Sequence, residues 1–249
     1  MTASTPESSP DRGRGIARLT PVALVRAAHP RRAVVTALGM AVAAAASGRA
    51  AREIALVGVT VLVGQALLGW DNELVDEASD RGDQRSTKPL VAGTLDRGTL
   101  GFWLACAVLL VIPLSLSGGI DAGLSYLLSL AVGVLGNRLL RRGRLSWLPW
   151  AIAFALYPAY LSYGGWGGGA DGHPPTIPMT VAAAFLGIGV HVLSSLRGLV
   201  DDNRAGRRHV PLRLALRVGA PRLLVLAGLY CAIVIGVIVA LGSTLGLSQ

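Results

Sequence analysis

The sequence predicts an all-α membrane protein, a bundle of about seven transmembrane helices with its charged loops gathered on one face. Three observations predict it. Of 249 residues, 52% are hydrophobic and only 15% charged, with a mean hydropathy of +0.56, whereas ordinary globular domains carry about 25% charged residues. The apolar residues come in long runs, and nearly all arginines lie in the N-terminal segment and in the loops after alternate runs. A net charge of +9 distributed in this way fits the positive-inside bias of a polytopic protein and excludes a nucleic-acid footprint.

In chain order, residues 1–18 are rich in Ser, Pro, Gly and Arg, which predicts a disordered tail, and 19–249 form one transmembrane domain. The leader is too long and too charged for a signal peptide, and no short apolar core with a cleavage site follows it. Residues 21–29 read as a short amphipathic helix lying at the membrane interface. The first span, 32–47, is short against the ~20 residues that cross a bilayer, and Arg49, Arg52 and Glu53 punctuate the turn after it. The second span, 54–70, turns abruptly acidic at its end. The third covers 100–116, with Gly118 and Gly119 marking the turn. The fourth covers 122–139 and ends among Arg138, Arg141, Arg142 and Arg144. The fifth, 147–163, holds Pro149 and Pro158, both expected to kink or interrupt it. After a Gly/Pro-rich loop with Asp171 and His173 come the sixth span, 179–196, and the seventh, 223–241. Arginine-bearing loops follow spans two, four and six, so these loops and the N-terminus are expected on the cytoplasmic side of the cell membrane. Cys106 and Cys231 lie far apart in apolar runs and read as small hydrophobic residues.

The chain is organised around residues 70–93, WDNELVDEASDRGDQRSTKPLVAG. If the second span stays helical through the acidic change, Asn72, Asp76 and Asp80 fall at i, i+4 and i+8 on one face, with Glu73, Glu77 and Asp83 close by. A row of oxygen donors at the end of a membrane helix is costly unless something positive binds there. Carboxylate and carbonyl oxygens suit a hard cation such as Mg²⁺, which keeps coordination positions for phosphate oxygens. Arg81, Arg85 and Lys88, the chain's single lysine, supply the cations a diphosphate wants. The alternative is a solvated acidic helix end balanced by nearby arginines.

Asn72-Glu73-x-x-Asp76-x-x-x-Asp80, followed by Lys88-Pro89-Leu90 and Gly93, resembles the first aspartate-rich motif of the UbiA superfamily of intramembrane prenyltransferases (4-hydroxybenzoate polyprenyltransferase-like), with Glu73 where that family has Asp. Residues 136–142, from Gly136-Asn137-Arg138 to Arg141-Arg142, are similar to a family stretch whose basic residues approach the diphosphate, Gly136 replacing a tyrosine and Arg141 a lysine. Asp202-Asn203-Arg204-Ala205-Gly206 is similar to the close of the family's second motif, but in that register Ser195 and Gly198 replace its other two aspartates. The resemblance runs over residues 19–241 and is specific in these three loops. The family usually has nine spans, so this chain apparently lacks the last two.

The resemblance implies Mg²⁺-dependent transfer of a prenyl group from a prenyl diphosphate to a lipophilic, aromatic acceptor within the bilayer. Asn72, Asp76, Asp80 and Asp202 would hold Mg²⁺; Asp76, Asp80, Lys88 and Arg141 would be catalytic. Glu73, Arg85, Lys88, Asn137, Arg141, Arg197 and Arg204 would contact substrate, with Arg197, Arg204 and Arg207 offsetting the lost carboxylates of the second motif. Two further readings are phosphoribosyl transfer to a polyprenyl phosphate and a non-catalytic membrane scaffold. His191, in the sixth span, is expected to be hydrogen-bonded within the bundle, and Asp171 and His173 to be loop residues.

Overall fold

Each apolar run folds as helix, because a backbone in hydrocarbon has to satisfy its own N–H and C=O groups. The computed structural model describes residues 12–80, 88–140, 143–164, 172–204, 206 and 208–244, and side chains at 12–19, 78–80 and 243–244 lie outside the described set. In order the helices are α1 (Arg12–Ala27), α2 (Pro30–Ala46), α3 (Ala51–Asp80), α4 (Arg97–Leu116) and α5 (Ile120–Leu135), which continues into a π-helical turn, Gly136–Leu140. Then come α6 (Leu148–Ala155), α7 (Tyr157–Ser162) and α8 (Ile177–Ser195), which passes through a 3₁₀ turn, Leu196–Gly198, into α9 (Leu199–Arg204). Next are α10 (Val210–Val218) and α11 (Ala220–Thr244). Among the described residues there is no strand.

Five of these stretches are long and apolar enough to cross a membrane: 51–77, 97–116, 120–140, 177–204 and 220–242. The other two expected spans correspond to the 17-residue α2 and to the broken pair α6–α7. The break falls at Leu156, one residue before the α7 turn that carries Pro158. Pro149 does not kink anything; it sits in the first turn of α6, where its missing N–H would have no intrahelical partner anyway. At the other end of the chain, α1 starts inside the segment expected as tail. Its stripe of Ala23, Leu24 and Ala27 is buried, and a helix anchored by such a turn propagates upstream at low cost.

The core gathers Val57 and Val61 of α3, Tyr126 and Leu130 of α5 and Tyr157 and Tyr160 of α7, with Tyr126 and Tyr160 rings 4.9 Å apart. Large apolar side chains elsewhere point outward, among them Leu109, Val225, Ile233 and Val239, as lipid-facing surface requires. The α1–α2 turn presses so closely on α3 that a Cβ at Gly69 would stand 2.6 Å from the Ala28 carbonyl oxygen. Small residues permit such backbone approaches in membrane bundles, and this one falls immediately before the acidic stretch. At the opposite end, Arg49 donates to the Leu161 and Gly164 carbonyls at 2.6 and 2.7 Å. It caps the C-terminus of α7, which explains a basic residue in a loop where the charge bias expects none.

Candidate functional site

α3 stays helical straight through the change from apolar to acidic. Its 30 residues extend about 45 Å at 1.5 Å per residue, against a hydrocarbon core of ~30 Å, so its last turns project past the apolar slab. Asn72, Asp76 and Asp80 therefore share one face, and the Asn72 amide nitrogen donates to Asp76 Oδ2 at 3.2 Å. The backbone of Asp80 ends the helix; its side chain, like all of Arg81, Asp83, Arg85, Arg141, Arg142 and Arg207, lies outside the described residues.

Four carboxylates at this helix end are buried: Asp71, Glu73, Asp76 and Glu77. An unpaired buried carboxylate is very costly, and each here meets a partner from a later segment. Asp71 accepts from the Arg138 guanidinium at 2.6 and 3.2 Å and from Asn137 Nδ2 at 3.2 Å. Glu73 Oε1 accepts from the Leu90 backbone N–H at 3.3 Å. Asp76 Oδ2 takes the Lys88 ammonium at 2.6 Å, and Glu77 takes Arg97 at 2.5 Å. The acidic end thus ties together the 88–93 turn, the start of α4 and the end of α5.

Local chemistry places those partners. Lys88-Pro89-Leu90 opens a tight turn in which Thr94 N and Leu95 N both donate to the Pro89 carbonyl. The turn closes at Gly93 with φ +68°, a left-handed conformation that glycine adopts without strain. Leu90 and Leu95 pack with Ala23, Leu24 and Ala27 of α1 and with Trp70 and Leu74 of α3, and Trp70 Nε1 donates to the Leu24 carbonyl at 2.9 Å. An apolar cluster thereby packs beside the start of the acidic stretch, and its Leu90 backbone reaches Glu73. On the α5 side, the π-helical turn carries Asn137 and Arg138 to Asp71; such wide turns recur at functional sites because they re-aim side chains.

The donor set has the chemistry a hard divalent cation takes: the Asp76 carboxylate, the Asn72 amide carbonyl and Asp80 one turn further. The Lys88 ammonium on Asp76 shows that this carboxylate already requires a positive counter-charge, so the residues fit Mg²⁺ or a similar ion. Among the described residues no group of three His, Cys, Asp or Glu side chains converges as a complete metal site.

The second charged stretch lies at the end of α8, and is built differently. Asp201 and Arg204 are exposed and 3.8 Å apart, and Arg197 is exposed as well. Asp202 Oδ2 receives His209 Nε2 at 2.8 Å. His209 Nδ1 in turn accepts from the Leu212 backbone N–H at 3.3 Å, which leaves the ring proton on Nε2, donated to Asp202. Ser195, where a family aspartate would stand, bonds the His191 carbonyl. A Cβ at Gly198 would lie 3.5 Å from Asp202 Oδ2, so that position does face the Asp202 carboxylate.

A further set of polar contacts joins the first turn of α2, the segment before α6, α6 itself and the last turns of α8. His191 Nε2 is 3.1 Å from Ser146 Oγ, within the bundle as the sequence suggests, and its ring is 5.5 Å from that of Trp150. Arg32, in the first turn of α2, lies over Trp150 with its guanidinium carbon 5.9 Å from the ring centroid. Its Nε is buried and, among the described residues, has no hydrogen-bond partner. His173 is exposed, and Asp171 lies outside the described residues.

The fold therefore brings Asn72, Asp76 and Lys88 into one cluster, with Glu73 and Asn137 beside it through their own partners, while Asp202, Arg197 and Arg204 stand at the end of α8. Sequence reasoning missed Asp71 and Arg32. The available signals were an acidic residue adjoining Asn72 and an arginine opening an apolar span.

A family model described as the UbiA prenyltransferase family matches residues 33–248 of the chain. Among solved structures, a UbiA homolog from Archaeoglobus fulgidus bound to GPP and Mg²⁺ is similar, with 20% identity and a TM-score of 0.65, over 86% of this chain and 76% of that one. The same homolog bound to DMAPP and Mg²⁺ gives 19% identity and a TM-score of 0.63, over 86% and 75%. No curated protein matches.

Proposed function

The chain belongs to the UbiA prenyltransferase family, and from that premise we propose that it transfers a prenyl group from a prenyl diphosphate to a lipophilic aromatic acceptor inside the membrane, using Mg²⁺. The observation that carries this reading is the buried Asp76, held between Asn72 and Lys88 where a membrane helix leaves the hydrocarbon. The solved relatives bind GPP or DMAPP with Mg²⁺, which supports a diphosphate as the ligand of such a site.

Asn72, Asp76 and Asp80 would hold Mg²⁺ from one helix face, and Asp202 would approach from the end of α8. When bound, the ion neutralises charge developing on the departing diphosphate. Lys88 holds Asp76 in place and, carrying three N–H donors, also donates to a diphosphate oxygen. Arg85, Arg141, Arg197 and Arg204 add charge-assisted contacts to the same group. Glu73 acts at one remove, fixing the turn that delivers Lys88. The C–O bond of the prenyl diphosphate breaks with both electrons on oxygen, the allylic carbon bonds to the acceptor, and the acceptor loses a proton. The apolar cluster of Leu24, Leu90, Leu95 and Trp70 would limit water on that side of the site. Stabilising charge in a dry site lowers a barrier by several kcal/mol.

Arg32 sharpens the acceptor class. A buried guanidinium Nε beside Trp150, with no partner among the described residues, suits an aromatic ring that carries an acid group, the ring against the indole and the acid on the arginine. The test is to incubate membranes carrying the protein with labelled prenyl diphosphates and aromatic acceptors, with and without a carboxylate, in Mg²⁺ or EDTA. Expected is EDTA-sensitive labelling of carboxylated acceptors; label transfer that ignores EDTA, or none with any acceptor, would sink the proposal.

A further inference from the structure

α10 lies outside both motifs. It has nine residues, about 13 Å at 1.5 Å per residue, less than half the ~30 Å needed to cross hydrocarbon. It joins the end of α8–α9 to α11, so it rests at the membrane face where those spans leave and re-enter. Pro211 and Leu212 are buried inward, while Leu214, Leu216 and Val218 are exposed. Arg213, Leu216 and Arg217 fall at i, i+3 and i+4 on one face. With Arg208 they line a cleft of about 420 Å³. Among the described residues, none of these three arginines has an ion-pair partner.

We propose that this cleft binds the phosphate headgroup of one anionic phospholipid. Three arginines lining one cleft with no carboxylate among its described lining residues call for an anion, and arginine grips phosphate through paired N–H donors. Leu216 inside the cleft and the neighbouring exposed Leu214 and Val218 suit a ligand whose anionic head continues into glycerol and acyl chain, as an interfacial helix with arginine on its polar face does. The placement also has a consequence for the second motif. His209 caps α10 and donates to Asp202, so a lipid that seats α10 also seats that carboxylate.

The experiment uses the full chain, delipidated in mild detergent and returned to phosphatidylglycerol, phosphatidylcholine, inorganic phosphate or pyrophosphate, with bound species counted by native mass spectrometry. Expected is one retained phosphatidylglycerol, no retained phosphatidylcholine, and no displacement by either phosphate at millimolar concentration. The pair R213Q/R217Q should weaken retention roughly thirtyfold, at about 1 kcal/mol per arginine near an anionic surface, with an unchanged elution volume. R222Q, an exposed arginine outside the cleft, should change nothing. Equal retention of both lipids, indifference to R213Q/R217Q, or stoichiometric displacement by pyrophosphate would overturn the proposal, the last by making the cleft a free-phosphate site. If R213Q/R217Q is not recovered folded, R208Q must lose lipid; R208Q that keeps it also overturns the proposal.

Discussion

The acidic ends of α3 and α9 belong to two halves of one bundle but rest on different electrostatics. At α3 the carboxylates are buried, with the Asp71 and Asp76 side chains 2% and 4% exposed. Each is matched by a partner delivered from another segment. At α9, Asp201 is 70% exposed and 3.8 Å from Arg204, a surface pair worth ~0–1 kcal/mol, and Asp202 is paired to a histidine. Burial makes every charge at α3 consequential, because a carboxylate there has no water to fall back on. At α9 Asp201 is held loosely enough to change, while Asp202 keeps a close partner.

The largest effect should come from Asp76. Asp76→Asn keeps shape and removes the charge that Lys88 and a divalent ion both need, so turnover of labelled prenyl diphosphate should fall roughly a hundredfold or more at unchanged expression. Asp201→Asn, at an exposed carboxylate, should cost less than about threefold. Equal losses would erase the distinction between the two ends.

The next prediction concerns the asymmetry of the Asp71–Arg138 pair. Arg138 is 54% exposed and Asp71 is 2% exposed. Arg138→Gln strands a buried carboxylate and should cost ~3 kcal/mol. Asp71→Asn leaves a guanidinium that can turn to solvent and should cost only about 1 kcal/mol. Thermal unfolding in detergent measures both. A larger drop in Tm for Asp71→Asn than for Arg138→Gln would mean that Asp71 is not the desolvated member. Glu73 behaves similarly on a smaller scale: Glu73→Gln keeps an oxygen for Leu90 N and should be nearly silent. Glu73→Ala orphans that N–H, costs about 1–2 kcal/mol, and should raise KM for the diphosphate as the Lys88 turn loosens.

What the sequence revealed follows the same division. The α3 row was legible because helical spacing alone stacks Asn72, Asp76 and Asp80, and the end of the apolar run dates the exit from the bilayer. Asp71 was not, since it sits about 100° around the helix from Asn72 and its partner Arg138 arrives from 67 residues away, a contact only the fold makes. Arg49 was legible as a charge and not as a cap, because the carbonyls it binds, Leu161 and Gly164, lie at the C-terminal end of α7, more than a hundred residues downstream. α10 hid inside a stretch that reads as a charged loop: nine residues with interspersed arginines give too short a period to separate helix from turn.

The smallest effect tests whether the second end can be brought closer to the first. Gly198 occupies a position where the resemblance has an aspartate, and a Cβ there meets Asp202 Oδ2 at an ordinary contact distance of 3.5 Å, so a Cβ is accommodated without moving the backbone. Gly198→Asp puts a second carboxylate beside Asp202. Affinity for a hard cation rises with the number of charged ligands, so the Mg²⁺ concentration giving half-maximal turnover should fall a few-fold. Gly198→Ala adds the same Cβ without charge and should leave that concentration where it was. If the two substitutions shift it equally, the effect is one of backbone stiffness. A shift confined to the aspartate would mean that the end of α8 still faces the ion, with the shortfall at α9 a matter of missing carboxylates and not of altered geometry.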